Sequence, residues 1–287
     1  DILQGANEQA SQIAGELAPD PVSSIDLFAG AIFPGLLLVI LYAFWIFCYT
    51  KIYPHSLPVP KKIANSNLKT IEILKLIFPP VLLIFIVLGS ILLGIATPTE
   101  SAALGAVGSF IIASLQKKIS FKNLKEVSTE SLKVTSMVFF ILIGASIFSL
   151  VFRGYGGDRL VEDFLTSIPG GPTASLVLVM ITIFFMGFFL DFLEIIFVII
   201  PIVAPALISM GFDPIWLGVI IAVNIQTSFL TPPFGFALFY FRGVATSIIK
   251  TAEIYKGVFP FIILQILLMI MLLKFPSIVK WLPENIN

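Results

Sequence analysis

Seven apolar runs long enough to span or enter a bilayer occupy roughly 27–50, 71–95, 98–115, 134–152, 173–209, 214–241 and 257–275. Inside hydrocarbon no water reaches backbone N–H and C=O groups, so each run has to satisfy its own backbone, as a helix does. Composition agrees: 58% of residues are hydrophobic, 12% are charged and mean hydropathy is +1.05, whereas soluble domains carry about 25% charged residues. These features specify an all-α, polytopic integral membrane protein. Net charge is zero, and nothing points to nucleic acid as a partner. The only cysteine, Cys48, lies in an apolar run and excludes an intrachain disulfide. The only histidine, His55, sits in a Lys/Pro-rich loop, which leaves a histidine-based metal site or catalytic triad without its residues.

Loop charge sets the orientation. With the N-terminus outside, Lys51, Lys61, Lys62, Lys69 and Lys75 fall inside after the first span, and Lys117, Lys118, Lys122, Lys125 and Lys133 after the third. Arg242, Lys250 and Lys256 then precede the last span on the same side, so thirteen of the seventeen basic residues are cytoplasmic. Both ends of the sequence are then periplasmic. This count requires 173–209 to enter and leave on one face. A re-entrant hairpin with Gly187 and Asp191 near its tip does so, and so do two full spans joined by a tight turn. Residues 116–133 place Phe121, Leu124, Val127 and Leu132 at near-helical spacing among lysines, which reads as a cytoplasmic amphipathic helix or as a plain linker. Residues 1–26 carry no lysine or arginine and no initiator methionine. They lack the basic start of a signal peptide and read as the extracytoplasmic loop of a longer or processed chain.

Three motifs could carry chemistry. In 224–235, two prolines, Pro232 and Pro233, follow the polar residues Asn224, Gln226, Thr227, Ser228 and Thr231, and Gly235 closes the motif. The prolines donate no backbone hydrogen bond, so the carbonyls of Ser228 and Phe229 lose their helical partners. Such a fracture exposes ion-binding carbonyls in secondary transporters; the structural alternative is a kinked helix whose hydroxyls bond their own backbone. Asp191 and Glu194, three apart in a Phe-rich run, are acidic groups at membrane depth. They suit an alkali cation or a proton better than zinc or iron, or else a structural hydrogen bond or ion pair at the tip. Thr97, Pro98, Thr99 and Glu100 form a capping-box signature, which competes with any functional role for Glu100.

Taken together, the runs Gly94 to Ala103, Gly187 to Asp191 with Pro201 and Pro205, and Asn224 to Gly235 followed by Leu238 to Val244 resemble the large membrane subunit (DctM-like) of tripartite ATP-independent periplasmic (TRAP) transporters. Gln226 to Tyr240 looks like the mannitol/chloroaromatic branch. The resemblance covers nearly the whole chain. It implies an elevator-type fold of the ion-transporter superfamily with two inverted repeats, each offering a re-entrant hairpin and a broken helix. This chain would be the C-terminal portion: scaffold-type spans in 27–133, then the second repeat in 134–287 with hairpin 173–209, broken helix 214–241 and last span 257–275. The first repeat would precede residues 1–26.

On that footing the chain is expected to be a permease subunit of a sodium-coupled importer of a small carboxylate in the bacterial inner membrane, and not an enzyme. Asn224, Thr227, Ser228, Thr231 and Gly235 would coordinate Na⁺, with Asp191 adding charge or order. Glu194, Gln226, Pro232, Pro233, Thr97, Thr99 and Glu100 would support the ion and substrate sites, and the positive end of a half-helix dipole would suit the substrate's anionic group. The expected partners are a small DctQ-like membrane subunit, a DctP-like periplasmic binding protein, the first repeat and the bilayer. The sequence has no Walker-type motif, so no ATP is expected to be consumed by this chain. A passive channel or membrane scaffold is the competing reading, and an intramembrane enzyme a weaker third.

Overall fold

Among the described residues the apolar runs fold as helices. A computed structural model describes residues 2–14, 21–54, 70–232, 235, 237–238, 241–242 and 249–286. All regular structure among them is helical: α1 (Ile2–Ala14), α2 (Ser24–Ile52), α3 (Thr70–Leu92), α4 (Pro98–Leu115), α5 (Phe121–Gly154), α6 (Gly157–Thr166), α7 (Gly171–Met186), α8 (Phe192–Ser209), α9 (Pro214–Leu230), α10 (Thr251–Lys274) and α11 (Ser277–Ile286). By length and composition, α2, α4, α5, α8 and α10 can cross a membrane. Of the residues named above, Pro233, Tyr240, Val244, His55, Lys61, Lys62 and Lys69 lie outside the described set, as do 234, 236, 239, 243 and 245–248.

The helices form two compact units, 1–42 with 136–287, and 43–135. In the second unit α3 and α4 pack as a hairpin. The ridge of one fits the groove of the other so closely that a Cβ on Gly108 would fall on the Leu83 side chain, while Ser90 and Ser101 share a hydroxyl hydrogen bond of 2.8 Å. Gly94, at φ +65°, ends the turn after α3, and the capping box anticipated at Thr97 starts α4. The Thr97 N–H and hydroxyl both donate to Glu100 Oε2 at 2.8 Å, and the Glu100 N–H returns to Thr97 Oγ1 at 3.3 Å.

Two expectations change here. The surface helix of 116–133 and the span of 134–152 are one helix, α5, of 34 residues. It begins where the Ser120 hydroxyl accepts from the Asn123 N–H, and it contains no proline and no glycine before Gly144, through which it continues. The loop expected in 1–26 contains α1, whose buried Ala6, Asn7, Ala10 and Ser11 form a small-residue stripe that lets it pack on α8.

In the first unit, α7 and α8 form a helical hairpin with its bend at residues 187–191. At 1.5 Å per residue the 16 residues of α7 reach about 24 Å, short of the ~30 Å hydrocarbon core. The 17-residue α9 is equally short. The apolar core of this unit gathers Leu176, Ile183, Ile195, Leu207, Leu217, Ile220, Leu268 and Leu272, all nearly inaccessible. At one end α9 starts on the Asp213 cap, whose Oδ1 accepts from the Trp216 N–H at 2.8 Å, and whose carboxylate meets Lys280 of α11 at 3.1 Å. The Trp216 indole N–H donates to the Leu272 carbonyl of α10 at 3.0 Å, pinning α9 to α10 through a buried bond.

Candidate functional site

The sequence breaks α9 after Leu230, and the structure shows where the freed groups go. Thr231 leaves the helix with φ −93° and ψ 127°. Its N–H donates to the Ser228 carbonyl at 3.0 Å, replacing the bond that Pro232 cannot make. Gly235 takes φ +30° and comes so close to the helix end that a Cβ there would stand 3.1 Å from the Phe229 oxygen. Only glycine combines that backbone angle with that approach.

The hydroxyls turn inward on their own helix. Thr227 Oγ1 donates to the Val223 carbonyl at 2.8 Å, Ser228 Oγ to Ile225 at 2.7 Å and Thr231 Oγ1 to Thr227 at 2.8 Å. Back-bonding uses each hydroxyl's single proton and leaves its oxygen lone pairs as acceptors. Asn224, Thr227 and Ser228 are fully buried. Gln226, expected beside them, lies on the exposed side of α9.

The partner of this fracture is the hairpin bend. A Cβ on Gly187 would fall on the Ser228 oxygen and stand 2.7 Å from the Ser228 Cβ, so the bend and the end of α9 touch with no room for a side chain. Phe192 and Phe229 add an edge-to-face ring contact at 6.0 Å. Farther along, Asn224 Nδ2 donates to the Met180 carbonyl of α7 at 2.8 Å. Met180 sits beside Asn224 and Gly187 beside Ser228, so α7 and α9 run side by side in one direction and finish together. Two helix C-termini, each carrying about half a negative elementary charge, thus converge with the lone pairs of the back-bonded hydroxyls. That arrangement attracts a cation and repels an anion.

Asp191 and Glu194 stand at the bend in a capping box. Asp191 Oδ1 accepts from the Phe192 N–H at 2.8 Å, and Glu194 Oε2 accepts from the Asp191 N–H at 3.3 Å. The N-terminus of α8 is therefore neutralised by its own two half-buried carboxylates. An anionic substrate group cannot take the same donors while the box is closed. A π-helical turn follows at Ile195–Ile199, closed by the Ile200 N–H donating to the Ile195 carbonyl. Pro201, which has no N–H, sits next to it, and such turns recur at functional sites.

The structure thus brings Ser228, Gly187 and the Asp191 bend together, with Thr227, Thr231, Pro232 and Gly235 in the adjoining turns of the break. Asn224 lies about a turn below, tied to α7. Thr97, Thr99 and Glu100 belong to the other unit and make their own cap. Asp191 and Glu194 make local hydrogen bonds, the structural alternative offered by the sequence, and Asp-x-x-Glu before an apolar run is the signature that would have named them as a cap. Sequence reasoning missed Gln265 of α10, fully buried with neither amide atom partnered among the described residues, and the Oδ1 of Asn224, which has no partner among them either. Nothing local marks a single glutamine in an apolar helix as buried.

A family model described as the tripartite ATP-independent periplasmic transporter, DctM component, matches residues 17–278. The C4-dicarboxylate TRAP transporter large permease protein DctM of Vibrio cholerae is 30% identical over 90% of this chain and 60% of its own length. The sialic acid TRAP transporter permease protein SiaT of Haemophilus influenzae is 27% identical over 99% of this chain and 47% of its own. An uncharacterised Salmonella typhimurium protein, YgiK, is 28% identical over 94% of this chain and 61% of its own. The chain therefore spans about half to three fifths of the length of these relatives. With the apolar helices and a family match across 17–278, it belongs to the DctM component family of tripartite ATP-independent periplasmic transporters.

Proposed function

We propose that this chain is the C-terminal portion of the large permease subunit of a sodium-coupled TRAP importer for a small organic acid, in the mannitol/chloroaromatic branch of the family. It works in the bacterial inner membrane with both ends of the sequence on the periplasmic side. The observation that carries this reading is the meeting of the α7 and α9 C-termini at Gly187 and Ser228. Sodium bound there would take carbonyl oxygens of the two helix ends and the lone pairs of Ser228 and Thr231, and would neutralise two like poles that otherwise repel. Asp191 acts by fixing the bend through its cap. Glu194 completes that cap, and Asn224 holds α7 against α9.

Because the ion favours the closed meeting of bend and break, its gradient drives substrate uptake. The substrate's carboxylate is received by donors other than the capped N-terminus of α8, including groups of a first repeat related to this one by inversion. The hairpin is re-entrant and moves with α9 as one elevator-type unit. A small DctQ-like membrane subunit and a DctP-like periplasmic binding protein complete the transporter, the latter delivering substrate.

The back-bonded hydroxyls of α9 favour the competing reading, a scaffold or passive pore in which the break is only a kink. Reconstituted uptake of C4-dicarboxylates and sialic acid separates the two. Uptake that stops when external Na⁺ is replaced by K⁺ supports the importer. Flux that continues unchanged without any ion gradient establishes the pore.

A further inference from the structure

Four buried side-chain atoms have no hydrogen-bond partner among the described residues: the Tyr42 hydroxyl, Asn224 Oδ1, Gln265 Nε2 and Gln265 Oε1. They belong to three neighbouring helices and lie at one level. α9 and α10 run antiparallel, with Trp216 bonded to Leu272 near one end and Leu230 beside Ile254 and Gly257 near the other. Counted from the Trp216 bond, Asn224 lies about 12 Å along α9 and Gln265 about 10.5 Å back along α10, at 1.5 Å per residue. On α2, the Tyr42 ring meets Phe261 edge-to-face at 4.9 Å, and Phe261 stands one turn from Gln265 on the same face of α10. α2 runs in the direction of α9, since Gly30 abuts Ile215 at the start of α9 and Tyr42 reaches Phe261 farther along. Helical side chains lean toward the N-terminus of their own helix, so Tyr42 and Gln265 lean toward each other.

The four atoms are complementary. The tyrosine hydroxyl and the glutamine Nε2 donate, and the two carboxamide oxygens accept. Two bonds, Tyr42 hydroxyl to Gln265 Oε1 and Gln265 Nε2 to Asn224 Oδ1, leave none of them without a partner. Asn224 and Gln265 are inaccessible within this chain, so protein packed around it meets neither. Beside them α7, α9 and α10 are not close-packed: a hollow of about 390 Å³ is bordered by Met180, Asn224, Ile266 and Met269, which leaves room for α10 to shift against α9.

We propose that Tyr42, Gln265 and Asn224 form a latch across α2, α10 and α9, open in the arrangement seen in this structure and closed by those two bonds in a second arrangement of the same helices. In a low-dielectric interior an unmade bond leaves both of its groups desolvated and unpaired. The packing of Leu268 and Leu272 in the core holds the latch open, and the two bonds offset the cost of shifting that packing, so the arrangements stand close in free energy. Asn224 keeps its bond to the Met180 carbonyl in both, because that bond uses Nδ2. Closing the latch therefore ties α2 and α10 to the two helices that meet at Gly187 and Ser228, one turn farther along α9, whichever ion is coupled there.

The test uses the purified protein in nanodiscs, made with glutamine that carries a labelled side-chain nitrogen. The Gln265 amide is assigned by its disappearance in Gln265→Leu. Relaxation-dispersion NMR of wild type is expected to show this amide exchanging between two environments on the microsecond-to-millisecond timescale, with the exposed Gln226 amide showing no such exchange. Tyr42→Phe keeps the ring and removes only the hydroxyl, so it is expected to diminish the Gln265 exchange in a folded protein. Asn224→Leu is expected to abolish it. A single, non-exchanging Gln265 amide in wild type overturns the proposal, and so does exchange undiminished in Tyr42→Phe. Cross-relaxation between the Gln265 amide and water overturns it as well, by making a bound water the partner.

Discussion

Two capping boxes among the described residues, at Thr97 and at Asp191, are chemically alike and placed in different surroundings. Thr97 with Glu100 and Asp191 with Glu194 each pair an N-cap acceptor with a glutamate at the third helical position. The first is exposed and restarts a helix after an ordinary glycine turn. The second is half-buried at a bend pressed against the end of α9. One motif therefore does two jobs: at Thr97 it ends a loop, and at Asp191 it holds a helix N-terminus electrically quiet beside two converging C-termini. Charge at membrane depth is thus not in itself a ligand signal.

The contrast is open to direct attack, and the strongest blow falls on the bend. Gly187→Leu drives a side chain into Ser228, so it is expected to lower sodium-dependent uptake in the reconstituted transporter more than tenfold. Gly94→Leu, at the turn before the other box and with open space around it, should give folded protein whose residual uptake keeps its sodium dependence despite a strained backbone. Equal loss of sodium dependence in both would erase the distinction.

Next in size is the pair of cap residues. Asp191→Ala is expected to raise the sodium concentration for half-maximal uptake several-fold, with Asp191→Asn retaining more because an amide oxygen still caps. Thr97→Ala is expected to cost about 1 kcal/mol of stability, a usual value for a lost N-cap, without moving that sodium concentration. Titration of uptake against Na⁺, alongside thermal unfolding, reads both. If Thr97→Ala shifts the sodium curve as far as Asp191→Ala, the two boxes are equivalent after all.

A smaller effect is expected of the bound ion itself. Sodium at one hundred times its Kd stabilises a protein that binds it only when folded by about 2.7 kcal/mol, so Tm should rise with NaCl and not with KCl. Ser228→Ala should reduce that rise, whereas Glu100→Gln should leave it whole. The smallest change is expected at Gln265→Leu, outside either box. Replacing a buried amide that has no partner among the described residues by an apolar group of similar size is expected to raise stability by about 1 kcal/mol, measured as a higher Tm with the sodium response intact.

Much of the fold was legible where local chemistry decides it. Pro98 behind Thr97 and Pro214 behind Asp213 mark helix starts because a proline is pre-set for the first helical position. The break after Leu230 followed from two prolines that cannot donate. Legibility failed where a decision rests on distant partners. Lys133 and Val134 look like a border between surface and span, yet nothing in the backbone chemistry interrupts α5 there. The contact of Gly187 with Ser228 joins residues far apart in sequence, and only the packing of α7 along α9 reveals which glycine must stay bare. The polar residues of α9 announced a site but not their own orientation, so Gln226 was grouped with neighbours from which it turns away.

The seating of Gly187 on Ser228 also imposes an order on biosynthesis. A ribosome releases the hairpin bend before it has made the helix end that receives it. Until α9 emerges, the bend's carbonyls and the Ser228 contact have no counterpart, and the hairpin has to wait beside the translocon or in some other protein company. A chain truncated just before Pro214 would leave that wait without an end, and its hairpin would be a substrate for membrane quality control rather than part of a transporter.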